Sequence, residues 1–228
     1  MGKKVTTAEL KAYISVADEY LIDEIETIIF AAIPNFPIVF HTISIAAFNA
    51  AIKLMQAKNF ILIMPQSAIS EFILVTNKSI EGSVSVPFGR HRLIDQIARE
   101  LEVSQVEALS LLKLWKEGTL EKSKESELET ITANAKEEWL ICLKGALSKL
   151  SRNALLPNQI YIVGHSLESM LLGDWIKHER YSSETFLVDR FDITFLSQKN
   201  VADLFESKVP KEHVGAVMAC LILFIRSL

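Results

Sequence analysis

Glycine is scarce and scattered in this sequence: eight residues in 228 (Gly2, Gly82, Gly89, Gly118, Gly145, Gly164, Gly173 and Gly215), with no GxG pair and no GxxxxGK(S/T) run. Loops that wrap a phosphate present several backbone N–H groups at close range, in dihedral regions that glycine supplies. The shortage therefore counts against an NTPase or a dinucleotide enzyme. Cysteine is nearly absent too. Cys142 and Cys220 stand alone in apolar runs, the pattern of buried free thiols in a reducing compartment. The five histidines (His41, His91, His165, His178, His213) never take metal-ligand spacing with one another or with cysteine, so no metal site is expected. The net charge is −4, with Lys and Arg dispersed along the chain. That leaves no concentrated basic surface, and no nucleic-acid partner is expected.

Long apolar runs are missing as well. The strongest, residues 214–225, has 12 residues between Glu212-His213 and Arg226, against the ~18–20 needed to cross a bilayer. It reads as a buried helix, with a membrane-interfacial helix as the alternative. Residues 1–5 carry two lysines, but a polar stretch follows at 6–11, so no secretory signal is expected.

What is present is the balance of a folded domain: half the residues are hydrophobic and 23% charged, enough for one large core or two small ones. Residues 7–30 show helical spacing and predict one or two helices, ended by Pro34 and Pro37. Residues 37–40 predict a short strand, and 43–57 an apolar helix. Three strands follow at 60–64, 69–75 and 79–86, the last two joined by a hairpin turn at Asn77-Lys78. Helices are predicted over 90–101 and 104–116, with Ser104 and Glu107 as a capping box for the second. Gly118 to Ser126 is the one linker-like stretch, and a long helix is predicted over about 127–150. A strand at 160–163, a helix at 167–177, a weak strand at 186–188 and a final helix at 212–225, opened by Pro210, complete the order. Residues 191–205 carry no clear signal. The three consecutive strands and 160–163 should share one mixed sheet with helices on both faces.

This order of elements resembles the second large subdomain of the actin-like ATPases, an α/β, ribonuclease H-like fold. Within that group it is most similar to the cell-division (FtsA) and type IV pilus-assembly (PilM) homologues. The family pattern has a phosphate loop, D-x-G-x-x-T-x-D, then a hairpin and a strand ending in Pro-aromatic-Gly. Here the strand ends Val86-Pro87-Phe88-Gly89. The following helices contain Leu93-Ile94-Asp95-Gln96-Ile97-Ala98 and Val106-Glu107-Ala108. Tyr161-Ile162-Val163-Gly164 resembles the strand and turn that hold adenine, and Val214-Gly215-Ala216 opens a helix like the family's late one. The resemblance covers about residues 40–225. It implies an N-terminal segment, 1–42, and an actin-like domain, 43–228.

The departures are chemical. Counted back without gaps, the phosphate-loop pattern falls on residues 64–71. Met64 stands at the metal-organising aspartate, Gln66 at the glycine and Ile69 at the threonine, and only Glu71 keeps an acid. Magnesium-bound nucleotide needs a carboxylate for the metal's water shell and donors for the phosphates. The adenine turn reads Gly164-His165-Ser166, where His165 crowds a nucleotide. Only about 40 residues precede the matched region, too few for the family's first half.

No cofactor and no catalytic residue are expected on this basis. The resemblance implies a non-catalytic scaffold or adaptor in the cytoplasm, at the inner face of the membrane. Its partner would be a protein, a second copy of itself or an inner-membrane assembly component. The alternative is a serine hydrolase. Gly164-His165-Ser166-Leu167-Glu168 sits between a strand and a helix as a nucleophile elbow does, and Asp189 or Asp192 with His213 follows in triad order. Against it, Glu168 replaces the last glycine of that motif. Arg90, His91 and Arg92 form a small basic cluster at a helix start, read as a solvated face before an anion site. Trp115, Trp139 and Trp175 sit among apolar neighbours and read as core or interface anchors.

Overall fold

The computed structural model describes residues 12–152, 154–164, 166–181, 189–196 and 216–225. Among the described residues one five-stranded sheet runs, edge to edge, through β3 (Ser79–Val86), β2 (Ser70–Thr76), β1 (Phe60–Pro65), β4 (Gln159–Val163) and β5 (Asp192–Leu196). The β1–β2 and β2–β3 pairs are antiparallel, and β1–β4 and β4–β5 parallel. The apolar run of β1 has no polar face, so it needs cover on both sides, and all its residues are buried. Asn77 and Lys78 both take positive φ (52° and 63°). This is the left-handed pair of a tight hairpin turn, whose twist matches that of the strands it joins.

Alternation along the strands divides the core. Ile61, Ile63, Phe72, Leu74, Ile160 and Ile162 face α5 (Lys122–Leu150) and α6 (Leu167–His178). Phe60, Leu62, Met64, Ile73, Tyr161 and Val163 face α2 (Ile43–Met55) and Cys220 of α7 (Ala216–Ile225). Helices thus cover both faces, as expected. Buried alanines of α2 (Ala47, Ala50, Ala51) bring its backbone close to the sheet. Trp139 of α5 is the largest fully buried side chain. Its ring packs 5.8 Å from Phe72 and 5.4 Å from Phe88, and its Nε1–H donates to Leu172 O at 3.3 Å. A further apolar cluster joins α3 (Arg90–Glu100), α4 (Gln105–Lys116) and the first half of α5 beside the sheet.

Several expectations need correction. Residues 37–40 form no strand. Val39 is 71% exposed, and Pro37 has no N–H to offer a ladder. The charged stretch before residue 127 is not linker, because α5 begins at Lys122 and its first turns are solvated helix. Gly118, at φ 69°, ends α4, and its N–H bonds Trp115 O. Among the described N-terminal residues helix occupies only α1 (Glu19–Ala32), capped by Asp18, and residues 12–18 are irregular. Residues 191–205, which gave no clear signal, contain the edge strand β5. The strand expected at 186–188 and the start of the final helix, with Pro210 and Gly215, lie outside the described residues.

Candidate functional site

The parallel strands β1 and β4 end side by side, and the chain leaves them in opposite directions across the sheet. This is where open α/β sheets form a crevice. From Pro65 the chain turns back within four residues, with Gln66 N–H donating to Ile69 O at 2.9 Å. The start of α3 clamps this turn: Arg90 N–H donates to Gln66 O (2.8 Å) and His91 N–H to Ser67 O (3.0 Å). Gly89 permits that approach. A Cβ there would lie 2.6 Å from the Ala68 carbonyl carbon and closer still to the Ser67 carbonyl. Buried Ser70 completes the lock by donating its hydroxyl to Phe88 O. The Pro-Phe-Gly sequence thus serves to pin the β1–β2 turn.

The opposite wall follows β4. Gly164 takes φ 116°, which favours glycine, and its N–H bonds Leu196 O at 3.3 Å. Ser166 caps α6: its Oγ accepts from Ser169 N–H at 3.3 Å and lies 3.1 Å from Ser169 Oγ. His41 and Ile43 at the start of α2, and Val217 and Leu221 of α7, close the sides. Together these segments enclose a cleft of about 1060 Å³.

Met64, Gln66 and Ile69 line this cleft, as do Gly164 and Ser166, so the two segments singled out from the sequence meet at one place. His165 lies outside the described residues. Glu71 is not among the lining residues. It pairs across the ladder with Met64, and its carboxylate accepts from Ser44 Oγ (2.5 Å) and Tyr13 OH (3.4 Å). Among the described lining residues there is no carboxylate, and Arg90 alone carries a permanent charge.

The basic cluster divides. Arg90 faces the cleft, while Arg92 is exposed and pairs with Glu138 at 2.9 Å. The first N–H groups of α3 are taken by turn carbonyls, which leaves them unavailable to an anion. His41, Ile43, Ser169, Val217 and Leu221 gave no sequence signal, because α2 and α7 reach the cleft only through packing.

Among the described residues the serine-hydrolase arrangement is not brought together. Ser166 is in relaxed extended backbone (φ −70°, ψ 159°), whereas a nucleophile elbow is strained. Asp192 pairs with Gln159 at the start of β4, the far end of the strand from Ser166, roughly 13 Å along it. Asp189 and Asp192 are both exposed, and His213 lies outside the described residues. Close approach of α6 to the sheet is made at Gly173, not at the Glu168 position. There a Cβ would meet Ile162 Cδ1 at 3.0 Å and the Phe195 ring closer still.

No protein-family model and no curated protein matches this sequence. Solved structures match it in shape. One is PilM in a PilM–PilN type IV pilus biogenesis complex, with a TM-score of 0.59 and 15% identity over 91% of this chain and 57% of that one. Another is MreB5 of Spiroplasma citri bound to ADP, with a TM-score of 0.53 and 13% identity over 93% of this chain and 66% of that one. The chain therefore has the actin-like ATPase fold and spans between half and two thirds of the length of these two proteins.

Proposed function

We propose that this protein is a non-catalytic actin-fold scaffold or adaptor whose nucleotide cleft no longer accepts magnesium-bound ATP. It would act by holding a second protein in a membrane-associated assembly of the pilus-biogenesis or cell-division kind. The observation that carries this reading is the lining at the ends of β1 and β4. Met64, Gln66 and Ile69, at the positions that the family resemblance assigns to the phosphate loop, line the cleft, and the nearby acid, Glu71, is held by Ser44 and Tyr13. A thioether, an amide and an alkyl group offer a hydrated magnesium ion no anionic ligand. The PilM–PilN structure supports a protein partner, since that neighbour was solved as a complex.

In this reading residues 43–228 form the actin-like unit and 1–42 an N-terminal extension, consistent with α1 burying none of its residues. No helix among the described residues is long and apolar enough to cross a membrane. Calorimetric titration with magnesium and a non-hydrolysable ATP analogue tests the closed site. No saturable heat is expected. A dissociation constant tighter than about 100 μM, roughly −5.5 kcal/mol, overturns it.

A further inference from the structure

We infer that the cleft at the ends of β1 and β4 binds a small apolar carboxylate, an acyl or aryl monoanion whose head pairs with Arg90. The volume, about 1060 Å³, is at the upper end of pockets that hold compact organic ligands, roughly 300–1,000 Å³. Its described lining includes six apolar side chains: Ile43, Met64, Ile69, Val163, Val217 and Leu221. Ile69 and Val217 remain 40% and 48% exposed, so an apolar body seated there removes protein surface as well as its own from water. A ring contact between His41 and Phe224, 4.7 Å between centroids, supports the side where α2 meets α7.

Charge selects the head group. Arg90 Nε is buried and makes no hydrogen bond to any described residue. Its main chain is fixed by the bond from Arg90 N–H to Gln66 O, so the guanidinium starts from a rigid turn. Arg90 lines the cleft, and a carboxylate seated there pairs with the terminal N–H groups of its guanidinium, the buried Nε being out of a ligand's reach. The hydroxyls of Ser166 and Ser169 already pair with each other. One cation and no carboxylate among the described lining residues suit a single negative charge. A triphosphate would leave most of its charge unmatched, and a cationic ligand would meet Arg90 unshielded.

The proposal rests on the charge and walls of the cleft and not on the scaffold role. Nucleotide binding would overturn the closed-site reading, and only the following titrations decide this one. Decanoate, decanol and decylamine are titrated calorimetrically into the full chain, into Arg90→Gln and into Val217→Glu. Decanoate should bind saturably at one site. Arg90→Gln should weaken it about tenfold or more, as expected when a charged partner is removed. Val217→Glu places a carboxylate at the mouth and should weaken decanoate while leaving decanol less affected. Circular dichroism and thermal unfolding check that each variant is folded, and Val217→Glu decides the matter if Arg90→Gln is not. No saturable decanoate binding, equal binding of decylamine, or unchanged affinity in both folded variants overturns the proposal.

Discussion

A single methyl group should have opposite consequences at Gly89 and Gly145. At Gly89 an added Cβ meets the backbone carbonyls of Ser67 and Ala68, which cannot rotate away. Gly89→Ala should cost about 3 kcal/mol, the upper end of ordinary overpacking, and lower Tm by roughly 6–12 °C for a chain of this size. At Gly145, within α5, nothing lies within 4 Å of the added atom. Gly145→Ala should therefore gain about 0.5–1 kcal/mol from helix propensity alone. Thermal unfolding of the two variants checks both signs. Cys220 carries a pH dependence. Burial pushes its thiol from an ordinary value near 9.0 up to about 11, because the folded core disfavours the thiolate. The unfolded chain ionises first, so this contribution is intact below pH 9 and is lost between pH 9 and 11. The loss is roughly 2–3 kcal/mol at about 1.4 per unit. Burial raises Tyr161 and Tyr181 as well, so the informative quantity is the difference between the parent and Cys220→Ala. The variant should have a shallower fall in denaturant midpoint from pH 9 to 11, and identical slopes would contradict the assignment.

At the level of elements, what the sequence disclosed depended on whether the signal was local. The capping box of α4 is carried by four residues, and the structure forms both halves of it: Glu107 N–H to Ser104 Oγ and Ser104 N–H to a Glu107 carboxylate oxygen. The unbroken apolar run of β1 and the Asn77-Lys78 turn were legible for the same reason. The start of α5 was not, because charged residues 122–126 look alike in a solvated helix and in a linker. Nor was β5, whose apolar pair Ile193 and Phe195 becomes a strand only through its parallel ladder to β4. In the cleft, Met64, Gln66 and Ile69 could be found only by counting back against the pattern of the family that the chain resembles, whereas the contributions of α2 and α7 required packing. Helix α1 gives the sharpest test at this scale. It has 14 residues and buries none of them, and isolated helices of that length are marginal in water. Amide hydrogen exchange should therefore be fast throughout α1 and slowest in β1 and β4, at the centre of the sheet. Protection of α1 comparable to that of β1 would show that it packs on something.

For the whole molecule the distribution of apolar surface matters more than its amount. Tyr20 is 74% exposed and Ile28 64% on α1, while Val217 (48%), Met218 (54%) and Ile225 (66%) form an exposed apolar set on α7. The other side of α7 is in the core through Cys220 and Phe224, both buried. This helix thus packs on the sheet with one face and presents hydrocarbon with the other, beside a cleft that is itself lined with apolar side chains. An N-terminal helix folded over that surface would resolve the exposure within one chain, but α1 buries none of its residues. Contiguous exposed apolar surface of this kind marks association, and a stable interface needs about 1,200–2,000 Å² in total, more than α7 alone can provide. The cleft rim has to contribute as well. We expect the protein to sediment at micromolar concentration as a dimer, or to be monomeric only until its protein partner is added. In either state Val217→Asp combined with Met218→Asp should weaken the association without lowering Tm by more than a few degrees, since both side chains are already half in water. A parent chain that stays monomeric with and without candidate partners and binds no hydrophobic dye would exclude α7 as an interface.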